Sequence, residues 1–271
     1  MPEVAADHQR VAVVTGASSG IGAELARALA GRGWLVVCLA RREERLRELA
    51  EELGGEYEVC DVADRQAVER VAAAVTKRHP ALHLLVNNAG IRARTSFFGA
   101  DPDRIEEALR VNYLGSVWCL RAFLPALEAA APSDVVNVVS VAGTVAFPRG
   151  GPYAATKHAQ LAFSRASAAE LRRRGIRVHT ILPGFVETEG FPQRTRLRSG
   201  LLRRLVIEPE AVARAILHAL ARDRPEVYVP WFYRGAALAQ ALAPSVFARV
   251  LSRRAGRART PRWERDFLPR R

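Results

Sequence analysis

The chain has 271 residues and a mass of 29.7 kDa, with 49% hydrophobic and 25% charged residues and a formal net charge of +13. That balance excludes a disordered chain, and the length suits one α/β domain with a sizeable core. No run of 18 or more uninterrupted apolar residues occurs, which argues against a spanning helix.

The charge is uneven. From residue 190 onward there are 18 Lys+Arg against 6 Asp+Glu, a net of +12, so the preceding residues are nearly neutral. Only Lys77 and Lys157 are lysines; the other basic residues are arginine. Cys38, Cys60 and Cys119 are scattered among apolar neighbours, which suggests neither a disulfide framework nor a metal spacing and fits a reducing cytoplasm. The six histidines are isolated, so no metal is expected. The first ten residues lack the charged-then-apolar pattern of a secretory signal.

In chain order, "VAVVTG" (11–16) reads as a buried strand, and a helix is predicted over 20–32 with Ile21, Leu25, Ala28 and Leu29 on one face. Between them lies "TGASSGIG" (15–22). Gly16, Gly20 and Gly22 allow a sharp turn and close backbone approach. The helix N-terminus behind them offers free N–H groups to a pyrophosphate, and Ser18 and Ser19 add hydroxyls. The second strand, "WLVVCLA" (34–40), runs into Arg41 and Arg42, where an acidic residue would bind an NAD ribose. Two guanidinium groups there suit the 2′-phosphate of NADP instead. A charged amphipathic helix (42–53), a strand (56–60), a helix near 64–78 and the strand-and-turn "LHLLVNNAG" (82–90) continue the alternation. A long helical stretch is predicted over 103–129, then a strand at 134–140, a helix at 153–174, a strand at 177–184, a helix at 208–222 and a short strand at 226–230. Apolar strands each followed by a helix predict a doubly wound, Rossmann-type parallel sheet of about seven strands. We read residues 1–230 as one domain and 231–271 as a basic, partly apolar helical extension.

Tyr153 and Lys157 stand at i and i+4 of one helix and share a face. A free tyrosine titrates near ~10 and is a poor acid–base group at neutral pH; a neighbouring ammonium favours its phenolate. Ser140 ends the strand 134–140, at the carboxyl edge where open α/β sheets bind ligands. His158 points away from that face and is given no role.

With these motifs in order, together with "DV" (61–62), "NNAG" (87–90), Asn112 in "VNYLG", "YAATK" (153–157) and "PG" (183–184) followed by Thr188, the chain resembles the short-chain dehydrogenases/reductases over roughly residues 10–230. The resemblance implies an NAD(P)-dependent oxidoreductase acting on a carbonyl or secondary alcohol. It implies Tyr153 as proton donor or acceptor, Lys157 on the phenol and the nicotinamide ribose, Ser140 on the substrate oxygen, and Asn112 holding a water next to Lys157. It places Asp61 and Val62 beside the adenine, although Asp61 also suits the N-cap of the next helix. Asn88, Ala89 and Gly90 would lie beneath the adenosine and ribose. Pro183, Gly184, Val186 and Thr188 would line the nicotinamide, with Ile21 completing the cofactor turn. NADP is expected over NAD, and a homodimer or homotetramer is expected.

The resemblance implies that the basic segment 189–206 covers the substrate, and its arginines suit an acidic or acyl-linked one, although the segment also reads as a solvated basic helix. The substrate itself is expected to be small and hydrophobic. A rim of this charge also admits a reductase of acyl-carrier-linked 3-oxo thioesters. A non-catalytic nucleotide-binding regulator is the alternative outside enzymology, against which the intact Ser140, Tyr153 and Lys157 argue. Residues 231–252 begin with aromatics, carry Leu238, Leu242 and Val246 four apart, and lead into a basic tail. They fit either packing on the domain or a partner subunit, or an anchor at the inner face of the membrane. No nucleic-acid recognition motif is present.

Overall fold

The structure, a computed structural model, describes residues 10–93, 97, 99–146, 150–195 and 203–255. The elements in order are β1 (Val11–Thr15), α1 (Gly20–Ala30), β2 (Leu35–Ala40), α2 (Glu43–Leu53), β3 (Glu56–Val59), α3 (Arg65–Arg78), β4 (Leu84–Asn87), α4 (Pro102–Leu109), α5 (Gly115–Ala129), β5 (Ser133–Val138), α6 (Gly151–Leu171), β6 (Ile176–Pro183), α7 (Pro209–Ala221), β7 (Glu226–Val229), α8 (Tyr233–Leu242) and α9 (Pro244–Ala255). The seven strands form one parallel sheet in the order β3-β2-β1-β4-β5-β6-β7.

Both faces of the sheet are covered, so consecutive strand residues supply opposite cores. Ala12 and Val14 join Leu25 and Leu29 of α1 and Val212 and Ile216 of α7 on one side. Val11 and Val13 join Val68 and Val71 of α3 and Phe123 and Leu127 of α5 on the other. Each large aliphatic side chain so buried contributes about 1.5–3 kcal/mol. This two-sided burial is why the strands are continuously apolar rather than alternating.

The strand order reverses between β1 and β4. A crevice therefore opens at their carboxyl ends, where the 15–22 turn and the 87–90 loop emerge.

The stretch 103–129 is not one helix. A π-helical turn at Arg110–Leu114 separates α4 from α5. Its wider coil rotates Asn112 inward, to complete burial, where a regular helix sets the next residue about 100° on. Asp64, not Asp61, caps α3: its carboxylate accepts from the Gln66 and Ala67 amides at 2.9 and 3.2 Å. Asp61 instead accepts from Ala63 N at 2.9 Å in a local turn. Ser140 lies two residues past the end of β5 and accepts from Ala142 N at the head of a short 3-10 turn.

Candidate active site

The glycine turn is built from close backbone contacts. Gly16 and Gly20 have φ of +66° and +59°, conformations that suit glycine alone, and a Cβ on Gly22 would lie 2.5 Å from the Gly16 carbonyl oxygen. Thr15 clamps the 87–90 loop to it. Its hydroxyl donates to Val86 O and accepts from the Asn88 and Ala89 amides at 3.0 and 3.1 Å. Asn88 Nδ2 returns a bond to Thr15 O at 2.9 Å. Thr188 closes the opposite wall, and its methyl reaches to 2.9 Å from where a Gly20 Cβ would stand.

These pieces enclose a cavity of about 680 Å³. Of the residues expected at the cofactor and catalytic sites, Gly16, Ser18, Ser19, Gly20, Ile21, Arg41, Arg42, Asp61, Val62, Asn88, Ala89, Gly90, Ser140, Tyr153, Lys157, Pro183, Gly184, Val186 and Thr188 all line it. Gly22 and Asn112 stand behind the lining. Asn112 pins the loop after Gly90 through Ile91: its Oδ1 accepts from Ile91 N at 2.7 Å and its Nδ2 donates to Ile91 O at 3.0 Å. A second bond from Nδ2 reaches Thr156 Oγ1 at 3.0 Å.

Tyr153 and Lys157 emerge from the first two turns of α6, and Lys157 Nζ lies 5.9 Å from the Tyr153 ring centroid. The amine is buried and donates to Val138 O at 3.1 Å and to Gln160 Oε1 at 2.7 Å. Burial pushes its pKa down to about 7 from the usual lysine value, because a low-dielectric surrounding penalises the ammonium. Ser140 Oγ donates to Pro183 O at 3.3 Å, which ties the end of β5 to the end of β6 at the cavity wall.

Gln160 went unnoticed in the sequence. It is fully buried, holds Lys157 and donates from Nε2 to Ser116 Oγ at 2.9 Å. Its one sequence signal is the i+3 spacing from Lys157. Replacement by leucine keeps the bulk but strips Ser116 Oγ of its donor and Lys157 Nζ of one of its two acceptors. Gln160→Leu is expected to lose about 1–3 kcal/mol in urea unfolding and to slow turnover.

The two arginines at the end of β2 have different partners. Arg41 sits 3.8 Å from Asp61. Arg42 donates to Ser18 Oγ at 3.1 Å and Ser19 Oγ at 2.7 Å, and pairs with Glu189 at 3.2 Å. Arg45 of α2 pairs with the same carboxylate. Bonds to these two guanidinium groups hold Glu189 below the usual carboxylate range. Glu189 was missed because only the folded chain brings it across the cleft to Arg42.

Tyr233 was also missed as a lining residue. The first residue of α8, it lays its ring on Gly184, where a Cβ would stand 2.1 Å from ring atom Cε2. Burial raises the pKa of its phenol. Of the predicted basic cover, Arg194, Arg203 and Arg204 are described, whereas Arg196 and Arg198 lie outside the described residues. Among the described residues no group of three histidine, cysteine or carboxylate side chains could hold a metal.

A dinucleotide fits this crevice on the chain's own terms. The backbone cradle tolerates no Cβ, a helix N-terminus faces it, and the lining carries a phenol, an amine and a hydroxyl. Fold and site together define a nucleotide-dependent oxidoreductase.

Residues 10–197 match the family model for short chain dehydrogenase. The chain is 36% identical to farnesol dehydrogenase of Aedes aegypti, over 81% of this chain and 93% of that one. A short chain dehydrogenase from Burkholderia cenocepacia in complex with NADP superposes with a TM-score of 0.78 at 30% identity, covering 90% of this chain and 97% of that one. One from Burkholderia phymatum in complex with NAD gives 0.78 at 25%, covering 88% and 95%. The chain belongs to the short-chain dehydrogenase/reductase family, NAD(P)-dependent enzymes that act on alcohol and carbonyl groups.

Proposed function

We propose that the protein is an NADP-dependent oxidoreductase of a small, apolar carbonyl compound or secondary alcohol. The observation that carries this is the convergence of Ser140, Tyr153 and Lys157 on the cavity that also holds the glycine turn. The nicotinamide, when bound, supplies or takes the hydride. The chain's own groups handle the proton and the position of the oxygen.

In this reading Tyr153 Oη gives its proton to the substrate oxygen in reduction and accepts it in oxidation. Ser140 Oγ hydrogen-bonds the same oxygen and stabilises the charge that develops there. Lys157 is held by Val138 O and Gln160 and lends positive charge beside the phenol. Gly16, Ser18, Ser19 and Gly20 would hold the pyrophosphate, and Asn88, Ala89, Gly90, Asp61 and Val62 the adenosine. Pro183, Gly184, Val186 and Thr188 would hold the nicotinamide end. The apolar substrate class is supported by Phe185, Phe191 and Tyr233 in the cavity wall and by the farnesol dehydrogenase relative, which its name places on an alcohol.

The preference for NADP rests on Arg41 and Arg42, at the rim where the adenosine ribose would lie. Glu189 already holds Arg42, so a 2′-phosphate bound there exchanges one anion for another. Arg42→Ala is expected to raise KM for NADPH about tenfold or more, from the loss of a charge-assisted hydrogen bond. KM for NADH should change little. Steady-state kinetics with both cofactors checks this, and an equal rise for both would remove the basis of the preference. The oxidoreductase reading itself is tested by purified protein with NADPH and a panel of carbonyl compounds, following the absorbance of the reduced nicotinamide. Absence of turnover across that panel and across the matching alcohols with NADP would overturn it.

A further inference from the structure

Helix α8 meets the domain with one side, and α9 packs against α8. Ala236, Ala237, Gln240, Phe247 and Leu251 are half-buried, and Gln240 Oε1 accepts from Ala146 N at 3.0 Å. The opposite side is apolar as well, yet it faces outward. Leu238, Val246 and Val250 are exposed, and Trp231 and Leu242 are 81% and 83% exposed. Large apolar side chains left in water on two adjoining helices mark an interaction surface.

Its chemistry identifies the occupant. Residues 231–255 contain no acidic residue, and Arg234 and Arg249 are exposed there. The sequence that follows, 253–271, holds eight arginines against Glu264 and Asp266. A second copy of this chain would bring like charge against like charge. An acidic protein would satisfy the arginines but not the aliphatic row. An anionic bilayer satisfies both: acyl chains take the leucines and valines, and phosphates take the guanidinium groups. The helices have 10 and 12 residues and meet at a bend of 111°. Each is about 15–18 Å long, too short to cross a hydrocarbon core of about 30 Å, so they suit lying in the interface.

The exposed face is continuous with the cavity. Trp231 contacts Phe232 with ring centroids 6.3 Å apart, Phe232 contacts Tyr233 at 4.9 Å, and Tyr233 contacts Phe185 at 6.3 Å. The last two line the cavity. We propose that residues 231–252 form a peripheral docking surface for an anionic lipid bilayer and set the cavity at that surface. Resting on the oxidoreductase reading above, this narrows the substrate to an apolar carbonyl compound or alcohol dissolved in the bilayer.

The test uses the full chain and vesicles of phosphatidylcholine and phosphatidylglycerol in equal parts, against phosphatidylcholine alone. The protein is expected to float with the anionic vesicles and to be released by high salt. The double variant Leu242→Glu, Val246→Glu alters exposed side chains only and is expected to lose binding about tenfold or more. Its melting temperature and its turnover of a water-soluble ketone should stay unchanged. A wild-type chain that does not float, or a variant that floats equally, overturns the docking surface. A variant that lowers the oligomeric mass by light scattering, with no vesicle binding by the wild type, assigns the face to a second copy and also overturns it. A long-chain ketone carried in the vesicles should be reduced several-fold more slowly by the variant; equal rates overturn the substrate class. Absence of turnover in both proteins sinks the oxidoreductase reading and leaves the flotation result standing.

Discussion

Tyr153→Phe is expected to reduce kcat by about a thousandfold, with cofactor affinity unchanged to within about twofold. The substitution removes one oxygen and keeps the ring. The phenylalanine ring keeps the contact with Phe191, whose centroid lies 5.9 Å away, so the α6 turn and the cavity wall persist. What disappears is the only proton at that position that can move to or from a substrate oxygen. Ser140 cannot replace it, because an aliphatic hydroxyl is a far weaker acid than a phenol. Fluorescence titration with NADPH separates binding from chemistry. Retained binding with lost turnover supports the proton role. Turnover within about tenfold of the wild type would mean that another group, or water, does the acid–base work.

The glycine turn that lines the cavity was legible in the sequence because its geometry is local. A turn that must bring backbone to a pyrophosphate needs glycine at particular positions, and Gly16, Gly20 and Gly22 fall within seven consecutive residues. Tyr153 and Lys157 were readable for the same reason, since one helix face joins them. Residues that act across long sequence separations were not. Glu189 meets Arg42 across 147 positions, and Tyr233 reaches Gly184 from a segment we had assigned to an extension. Arg41 and Arg42 are adjacent in sequence and diverge in space because the chain is extended at Arg42, with φ −92° and ψ 94°, which sends successive side chains apart. The π-turn at Arg110–Leu114 was invisible because apolar periodicity cannot register one extra residue in a coil. Asp61 reads as a helix cap in the sequence because aspartate caps well, but Asp64, three residues on and chemically the same, is the residue at the start of α3.

Lys157 makes the second large effect, on stability as a function of pH. Its folded pKa of about 7 lies below the lysine reference of 10.5. Below about pH 7 the amine is charged in both states, and burying that charge costs the folded state on the order of 5 kcal/mol. Between pH 7 and 10.5 the unfolded chain binds more protons than the folded one, so this cost falls as pH rises. Above both values it is gone. Lys157→Met removes the titration and keeps most of the stem packing, although Val138 O and Gln160 Oε1 lose a donor. That loss is independent of pH, whereas the relief of the buried charge is not. Urea unfolding of both proteins at pH 6, 8 and 9.5 (roughly spanning the window set by the two pKa values) is expected to show the wild type gaining several kcal/mol on the variant as pH increases. The variant is at the same time expected to lose turnover by about a hundredfold or more at and below neutral pH, where the wild-type amine is charged, because no cation then stands beside Tyr153. A difference in stability that is flat with pH would mean that the folded protein keeps this ammonium fully charged, supported by its two acceptors, throughout the range in which the enzyme works.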